Sequence, residues 1–353
     1  MLDVAEFTTA QKVAFGAGIR QEVAQHVAEA GATRVLVLTT PQQSDLGLEL
    51  AANLGAEAAG VFTKAAMHTP IEITEEALAY LGTVEADSVM AVGGGSTIGL
   101  GKALALRTGA HQIVLPTTYA GSECTPILGQ TENGVKTTLK DPKVLPGTVL
   151  YDPELVATLP VPMTVTSALN AMAHAIEALY AQDRTEQSDG LALAGLEAFR
   201  TGLPTVMAEP KNLTAREYTQ RGAWACGTVL GQVGMALHHK LCHTLGGSFG
   251  LPHAETHAIV LPHATAYNAA AVPAQLAPVA DMFGADDPAA ALWGFAKEMG
   301  APLALRDLGL AEADLDRAAD IATQSPYWNP REIEKAPLRA LLQRAWAGDP
   351  PAA

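Results

Sequence analysis

The feature that most restricts the fold is a series of short apolar segments in the first half of the chain, separated by helical stretches. RVLVLT (Arg34 to Thr39), AAGVFT (Ala58 to Thr63), DSVMAV (Asp87 to Val92), QIVLPTT (Gln112 to Thr118) and TVLYD (Thr148 to Asp152) read as buried strands. A strand that is apolar on both sides must be covered on both faces, which calls for a parallel sheet with helices above and below it. IEITEEALAYLGTV, from Ile71 to Val84, has the periodicity of one such covering helix. Pro153, and then Pro160 to Pro162, interrupt the alternation. Beyond them strand-like runs become rare. Helical patterns occupy Thr164 to Tyr180, Asp189 to Thr201, Arg216 to Met235, Pro288 to Met299, Glu312 to Thr323 and Ile333 to Ala347. The expected architecture is an α/β parallel-sheet, dinucleotide-binding domain over residues 1–155, followed by an all-helical substrate domain over 156–353.

A length of 353 residues suits two such domains. The net charge of −15 speaks against nucleic acid as a partner, because the phosphates would be repelled. It also means that an anionic substrate needs a locally positive pocket. No apolar stretch approaches the roughly 18 residues of a membrane span, and MLDVAEFTTAQKV lacks the basic and apolar regions of a secretory signal. Cys124, Cys226 and Cys242 are too few and too scattered for a disulfide framework. A cytoplasmic protein, with no membrane partner, is expected.

AVGGGSTIGLGKALAL places Gly93, Gly94, Gly95 and Ser96 between the third of these strands and a helix. Residues without a Cβ let a phosphate come close to the backbone, and the helix start points free N–H groups at it. Tight packing of helix on sheet is the alternative reason for the glycines. Neither common phosphate fingerprint fits: Ile98 stands where a GxGxxG motif needs its last glycine, and Ser96 and Ala103 break the Walker pattern around Lys102. A second polar turn, LPTTYAGSECT, offers the hydroxyls of Thr117, Thr118 and Ser122 at a strand end, where open parallel sheets hold ligands. Together the two turns suggest a dinucleotide, with its pyrophosphate at Gly94-Gly95-Ser96 and its nicotinamide half near Thr117 and Thr118. Thr39 ends the first of the five strands, and TTPQQS supplies neither an acid for the NAD ribose nor an arginine for the NADP phosphate. Either NADH or NADPH is therefore expected to bind.

Six of the ten histidines, His238, His239, His243, His253, His257 and His263, fall in one short stretch. His239 and His243 are four apart and share a helix face. Gly246 and Gly247 are expected to end that helix, and Pro252-His253 to begin a return toward the same spot. Asn170 and His174, in LNAMAHAIEALY, form a second pair four apart. Two such pairs and a returning histidine make a plausible four-ligand set. His238 faces another side of its helix and is expected to lie outside the cleft; His263 reads as structural.

With both motifs in view, the chain resembles the iron-containing alcohol dehydrogenase superfamily, which has a dehydroquinate synthase-like architecture. The resemblance runs from Phe15-Gly16-Ala17-Gly18 to the last helices and is carried by GGGST at Gly93 to Thr97, TTYAGSE, YDPEL at Tyr151 to Leu155, NAMAHAIEA, and HxxxHxLG followed by PH. It implies a nucleotide-binding domain, a helical domain, an active site in the cleft between them, and a homodimer. Metal-dependent members carry an aspartate where this chain has Asn170. GGGSTIGLGKA, that asparagine and PHAETH look like the maleylacetate reductase branch, whose members reduce 2-maleylacetate to 3-oxoadipate in bacterial breakdown of aromatic compounds.

The resemblance implies His243 as the proton donor, with His174, His239 and His253 taking the metal's electrophilic role beside a small dicarboxylate. Asn170, Lys240 and Thr118 are expected to line the substrate pocket. Lys136, in NGVKTT, matches a position near the cofactor; Arg331 is a further carboxylate contact to consider. Three imidazoles and a neutral amide lack the anion that offsets a divalent charge, so activity without a metal is expected. A metal-dependent alcohol or polyol dehydrogenase and a dehydroquinate synthase-like lyase remain the alternatives.

Overall fold

The computed structural model describes residues 7, 9–324 and 327–352. The chain forms two compact units. One runs to Leu159 and takes in Lys211–Gly231; the other comprises Pro160–Pro210 and the chain from Gln232 onward. The first unit holds a six-stranded parallel sheet built from β1 (Lys12–Phe15), β2 (Val35–Leu38), β3 (Ala58–Phe62), β4 (Ser88–Gly93), β5 (His111–Pro116) and β8 (Thr148–Tyr151), in the order β1-β8-β5-β4-β2-β3. Its covering helices are α1 (Val23–Glu29), α2 (Ser44–Leu54), α3 (Ile71–Thr83) and α4 (Gly95–Thr108). The expected strands are all present. β2, β4 and β8 are buried along their whole length, with Val35, Val37, Met90 and Val92 in one apolar cluster and Leu36, Leu38 and Val89 in another. That division into two cores is why their sequences show no polar alternation.

Two elements had no clear sequence signal. β1 is a four-residue edge strand, KVAF, too short and too polar to stand out. β6 (Ile127–Glu132) and β7 (Val135–Lys140) form a separate antiparallel ribbon around the turn at Asn133-Gly134, where both residues have positive φ.

The second unit is helical: after the short α5 (Pro153–Val156), which closes the first unit, come α6 (Val161–Leu179) and α7 (Glu186–Ala208). α8 (Leu213–Gln232) packs back on the first unit, a return that a single break near residue 155 does not allow for. Its glycines explain the return. A Cβ at Gly227 would lie 2.8 Å from the Cα of Gly121, and one at Gly231 2.7 Å from the carbonyl oxygen of Cys124, so only a bare backbone lets the helix sit against that turn. The Tyr119 hydroxyl meets Thr219 Oγ1 at 2.8 Å on the same surface.

The second unit continues with α9 (Leu237–Phe249), α10 (His253–Ala269), α11 (Pro273–Phe283), α12 (Pro288–Glu298), α13 (Leu315–Thr323) and α14 (Lys335–Ala347). α9 does not end at Gly246-Gly247 as expected: it runs through both to Phe249 and is closed by Gly250 in the left-handed conformation, at φ 70°. Leu237, Leu241 and Leu245 of α9 join Ile259, Val260 and Ala264 of α10 and Leu338 and Leu342 of α14 in one core. Among the described residues no helix is long and apolar enough to cross a membrane.

Candidate active site

In the first unit, β4 and β5 end level, with Gly93 paired to Pro116, while β2 stops two residues earlier, with Leu38 opposite Ala91. From β2 the chain steps outward to β3 and then crosses back to β4, the kind of switch point at which open sheets leave a crevice. Gly93 has φ 149°, and a Cβ there would lie 2.5 Å from Thr97 Oγ1, so local geometry alone demands glycine. Gly94 caps α4 with no side-chain hydrogen bond and touches Thr118. Gly95 differs: a Cβ would meet nothing within 4 Å. Fold packing does not explain that glycine, whereas a ligand seated on the first-turn N–H groups of α4 does.

Thr117 Oγ1 accepts from Gln43 Nε2 at 3.1 Å, tying the β5 turn to the segment after β2. Ser122 is half-buried in the following turn. Thr39 is placed differently from the expectation. It is fully buried, with its methyl turned to Gly47 and its hydroxyl without a hydrogen-bond partner among the described residues. Lys136 stands in β7 opposite Thr131; its side chain lies outside the described residues.

The histidines gather in the second unit, where α6, α9 and α10 meet. Ring centroids are 5.2 Å apart for His174 and His239, 6.1 Å for His239 and His243, 5.2 Å for His239 and His257, and 4.3 Å for His253 and His257. His238, expected outside, belongs to the cluster: its Nε2 is 2.9 Å from His257 Nδ1. α10 covers the flank of α9 that carries His238, so both faces of the helix contribute. Burial grades across the group. His174, His238, His239 and His257 are buried, whereas His243 and His253 are exposed. Burial, reinforced by neighbouring imidazoles, pushes His174, His238 and His257 well below the ordinary histidine range, so these three are neutral. A neutral His174 can offer a hydrogen bond but no charge. His263, within α10, is pushed down to about 4 by burial and then by Arg344.

Glu177 organises this cluster, and motif reading passed over it although it lies three residues beyond His174 on the same helix. Its Oε2 accepts from Ala236 N at 2.8 Å and from His239 Nδ1 at 2.7 Å, while its Oε1 accepts from His238 N at 2.7 Å. A carboxylate that accepts at Nδ1 places that ring proton there and turns Nε2 of His239 toward the site. That Nε2, His174 Nδ1, Asn170 Oδ1 and His257 Nε2 are all buried without a hydrogen-bond partner among the described residues. So many unsatisfied atoms in one place are the mark of a binding site. Arg331 donates to the Tyr267 carbonyl at 3.0 Å and stacks on that ring. A depression of about 490 Å³ elsewhere in this unit is lined by small apolar residues with Asp281, Asp286 and Asp287 and brings together no reactive groups.

Residues 10–153 match the model of the iron-containing alcohol dehydrogenase family, and residues 164–346 match that of its C-terminal region. The chain belongs to this family. Within it, the chain is 56% identical over 346 residues to the maleylacetate reductase of Rhizobium sp. (strain MTP-10005), covering 98% of each. It is 49% identical to maleylacetate reductase 1 of Rhodococcus opacus, over 96% of this chain and 95% of that one. The crystal structure of maleylacetate reductase from Agrobacterium tumefaciens superposes with a TM-score of 0.96 at 55% identity, covering 98% of this chain and 99% of that one. Expectation and fold agree: an α/β unit with a parallel sheet and a helical unit.

The family's name implies iron, an ion that favours an anionic donor among its ligands. Asn170 offers a neutral amide oxygen. Glu177 is the acid within the cluster, and both its oxygens are taken by backbone amides and His239. Among the described residues, the only three His, Cys, Asp or Glu donors within 4.8 Å of one another are those of His238, Cys242 and His257. There the 2.9 Å between the two nitrogens is a hydrogen-bond spacing, shorter than the roughly 3.3 Å that two nitrogens on one tetrahedral zinc would keep.

Proposed function

We propose that this chain reduces the carbon–carbon double bond of 2-maleylacetate to give 3-oxoadipate, using NADH or NADPH and no metal. What carries the reading is full-length likeness to maleylacetate reductases combined with Asn170, an amide at the position where the metal-dependent members of the family carry an aspartate. The residues present fit a nicotinamide dinucleotide, with the Gly94-Gly95-Ser96 backbone at the start of α4 receiving its pyrophosphate, and Thr117, Thr118 and Ser122 facing its nicotinamide half. Neither an acid nor an arginine follows β2, so both cofactors are admitted.

When bound, the reduced nicotinamide supplies a hydride to the alkene carbon that bears the carboxylate. The electron pair of the double bond then moves toward the ketone, whose oxygen gains negative charge. His239 and His253, with neutral His174 behind them, hydrogen-bond to that oxygen, and Asn170 orients the ligand. His243, exposed at the edge of the cluster, delivers its proton to the carbon beside the ketone and is restored from solvent. One double bond is lost as one hydride and one proton are added, a two-electron reduction for which NADH or NADPH would be the reductant.

The test is NADH and NADPH oxidation followed at 340 nm (about the wavelength of reduced nicotinamide) with maleylacetate, before and after chelation and with the metal content measured. The expected result is turnover with either cofactor that survives chelation, and none with simple alcohols and NAD. No turnover of maleylacetate would overturn the reading. Activity lost on chelation and restored by zinc or iron would overturn its metal-free part.

A further inference from the structure

A dianionic substrate approaching a chain of net charge −15 needs a cation at the site itself. His174, His238 and His257 do not supply it, since burial keeps them neutral. Most cations of the second unit are already engaged: Arg184 with Asp189, Arg200 with Glu197, Lys335 with Asp320, Arg339 with Asp316, and Arg331 with the Tyr267 carbonyl. Lys240 differs. It follows His239 directly, is half-buried, and has no carboxylate within 4.0 Å among the described residues. Its Nζ sits 5.4 Å from the centroid of the Tyr327 ring. The Tyr327 ring packs against the core around α9, while its hydroxyl is buried with no hydrogen-bond partner among the described residues. Glu177 is the acid whose charge is felt at Tyr327, and it is turned to the backbone amides of Ala236 and His238.

Among the described residues, this is an ammonium with no carboxylate partner over the ring of a tyrosine whose hydroxyl has none, and together they can offer a carboxylate one charge and one directed donor. Lys240 also stands three residues before His243 on α9, so the two share a helix face about 5–6 Å apart at Cβ. In maleylacetate, the carboxylate on the alkene is one bond from the carbon that takes the hydride, and so lies at the nicotinamide end. The carboxymethyl arm lies beyond the ketone, at the end where His243 delivers its proton.

We propose that Lys240 and Tyr327 form the subsite for the carboxylate of the substrate's carboxymethyl arm and thereby select dicarboxylates over monocarboxylates. This rests on the reading of the chain as a maleylacetate-reducing enzyme. The subsite is separate from the reacting atoms, so its loss weakens binding of one substrate class without disabling the chemistry.

The experiment compares maleylacetate with cis-4-oxopent-2-enoate, which keeps the enone and its carboxylate but ends in a methyl group instead of the arm. The unaltered protein prefers maleylacetate strongly. K240M lowers kcat/KM for maleylacetate about 10- to 100-fold, mainly through KM, and Y327F about 10-fold; both leave kcat/KM for the monocarboxylate within about threefold, and K240R recovers part of the loss. NADH affinity, measured by fluorescence titration, is unchanged and serves as the folding control. Equal losses with both substrates, or discrimination that survives in both variants, would overturn the subsite while leaving the reductase reading intact. Absence of maleylacetate turnover by the unaltered protein would overturn the reading and the subsite together.

Discussion

Replacing Glu177 by glutamine keeps the side chain's shape and removes its charge, which makes it the sharpest probe of what orders the histidine cluster. The carboxylate accepts from His238 N and His239 Nδ1 at 2.7 Å and from Ala236 N at 2.8 Å, all within a buried setting. A glutamine has only one oxygen. If its NH₂ group takes the Oε1 position, it faces the N–H of His238, donor against donor. If it takes the Oε2 position, the Ala236 N–H loses its acceptor, and His239 keeps a bond only by moving its proton from Nδ1 to Nε2. Either way one buried amide is left unpaired, at about 1–3 kcal/mol, and the remaining bonds lose their charge assistance, at roughly 1 kcal/mol each. The sum, about 3–5 kcal/mol, is a large fraction of a typical domain's stability.

The functional consequence follows from the tautomer. In the E177Q variant one amide orientation moves the His239 proton from Nδ1 to Nε2, and the other holds it at Nδ1 without charge assistance, so the Nε2 proposed to face the substrate no longer has a fixed role. Urea denaturation should show the stability loss, and kcat/KM for maleylacetate should fall about 10- to 100-fold, while NADH titration stays unchanged because the glycine turn belongs to the first unit. A variant within about 1 kcal/mol of the parent, and within about twofold in kcat/KM, would refute the view that Glu177 orders the site.

The glycine turn separates folding from binding. G95A meets no atom within 4 Å and should fold as stably as the parent, yet weaken NADH about tenfold or more by fluorescence titration; unchanged affinity would rule Gly95 out of the phosphate cradle. G93A forces a Cβ to within 2.5 Å of Thr97 Oγ1 at φ 149° and should lower the melting temperature as well, by about 1–3 kcal/mol of strain. A pH effect is expected at Lys102, which is wholly buried, donates to the Thr125 carbonyl and hydroxyl and to the Ile127 carbonyl, and is pushed by burial from its ordinary 10.5 down to about 7. The folded state then binds fewer protons than the unfolded state between these values, so stability rises with pH across that window, by at most about 1.4 kcal/mol per unit. Urea midpoints at pH 7.5 and 8.5 (about one unit apart, within the window) should move apart for the parent and much less for K102M; parallel shifts would refute the assignment.

What could be read from the chain, and what could not, divides along how far the evidence lies from the residue concerned. Buried strands announce themselves because both faces are apolar, and so β2, β4, β5 and β8 were legible as runs of Val, Leu and Ile. Helix pairs four apart are local too, which is why His174, His239 and His243 could be placed on common faces. The features that escaped depend on a partner distant in sequence. α8 returns to the first unit because two glycines meet a turn about a hundred residues earlier. Helical periodicity specifies only that α8 is amphipathic and carries no address. The angle of His238 on α9 points it away from His239 and His243, yet α10 covers that flank and brings His257 to it. Glu177 looked like one more polar helix residue because its role is defined by amides of Ala236 and His238, whose N–H groups are unsatisfied only because α9 starts there. The start of a helix that carries reactive histidines creates orphan donors, and those donors require an acceptor. In this chain the acceptor that satisfies them also fixes the proton on His239. A buried acid one turn from a histidine pair therefore merits the same scrutiny as the histidines themselves.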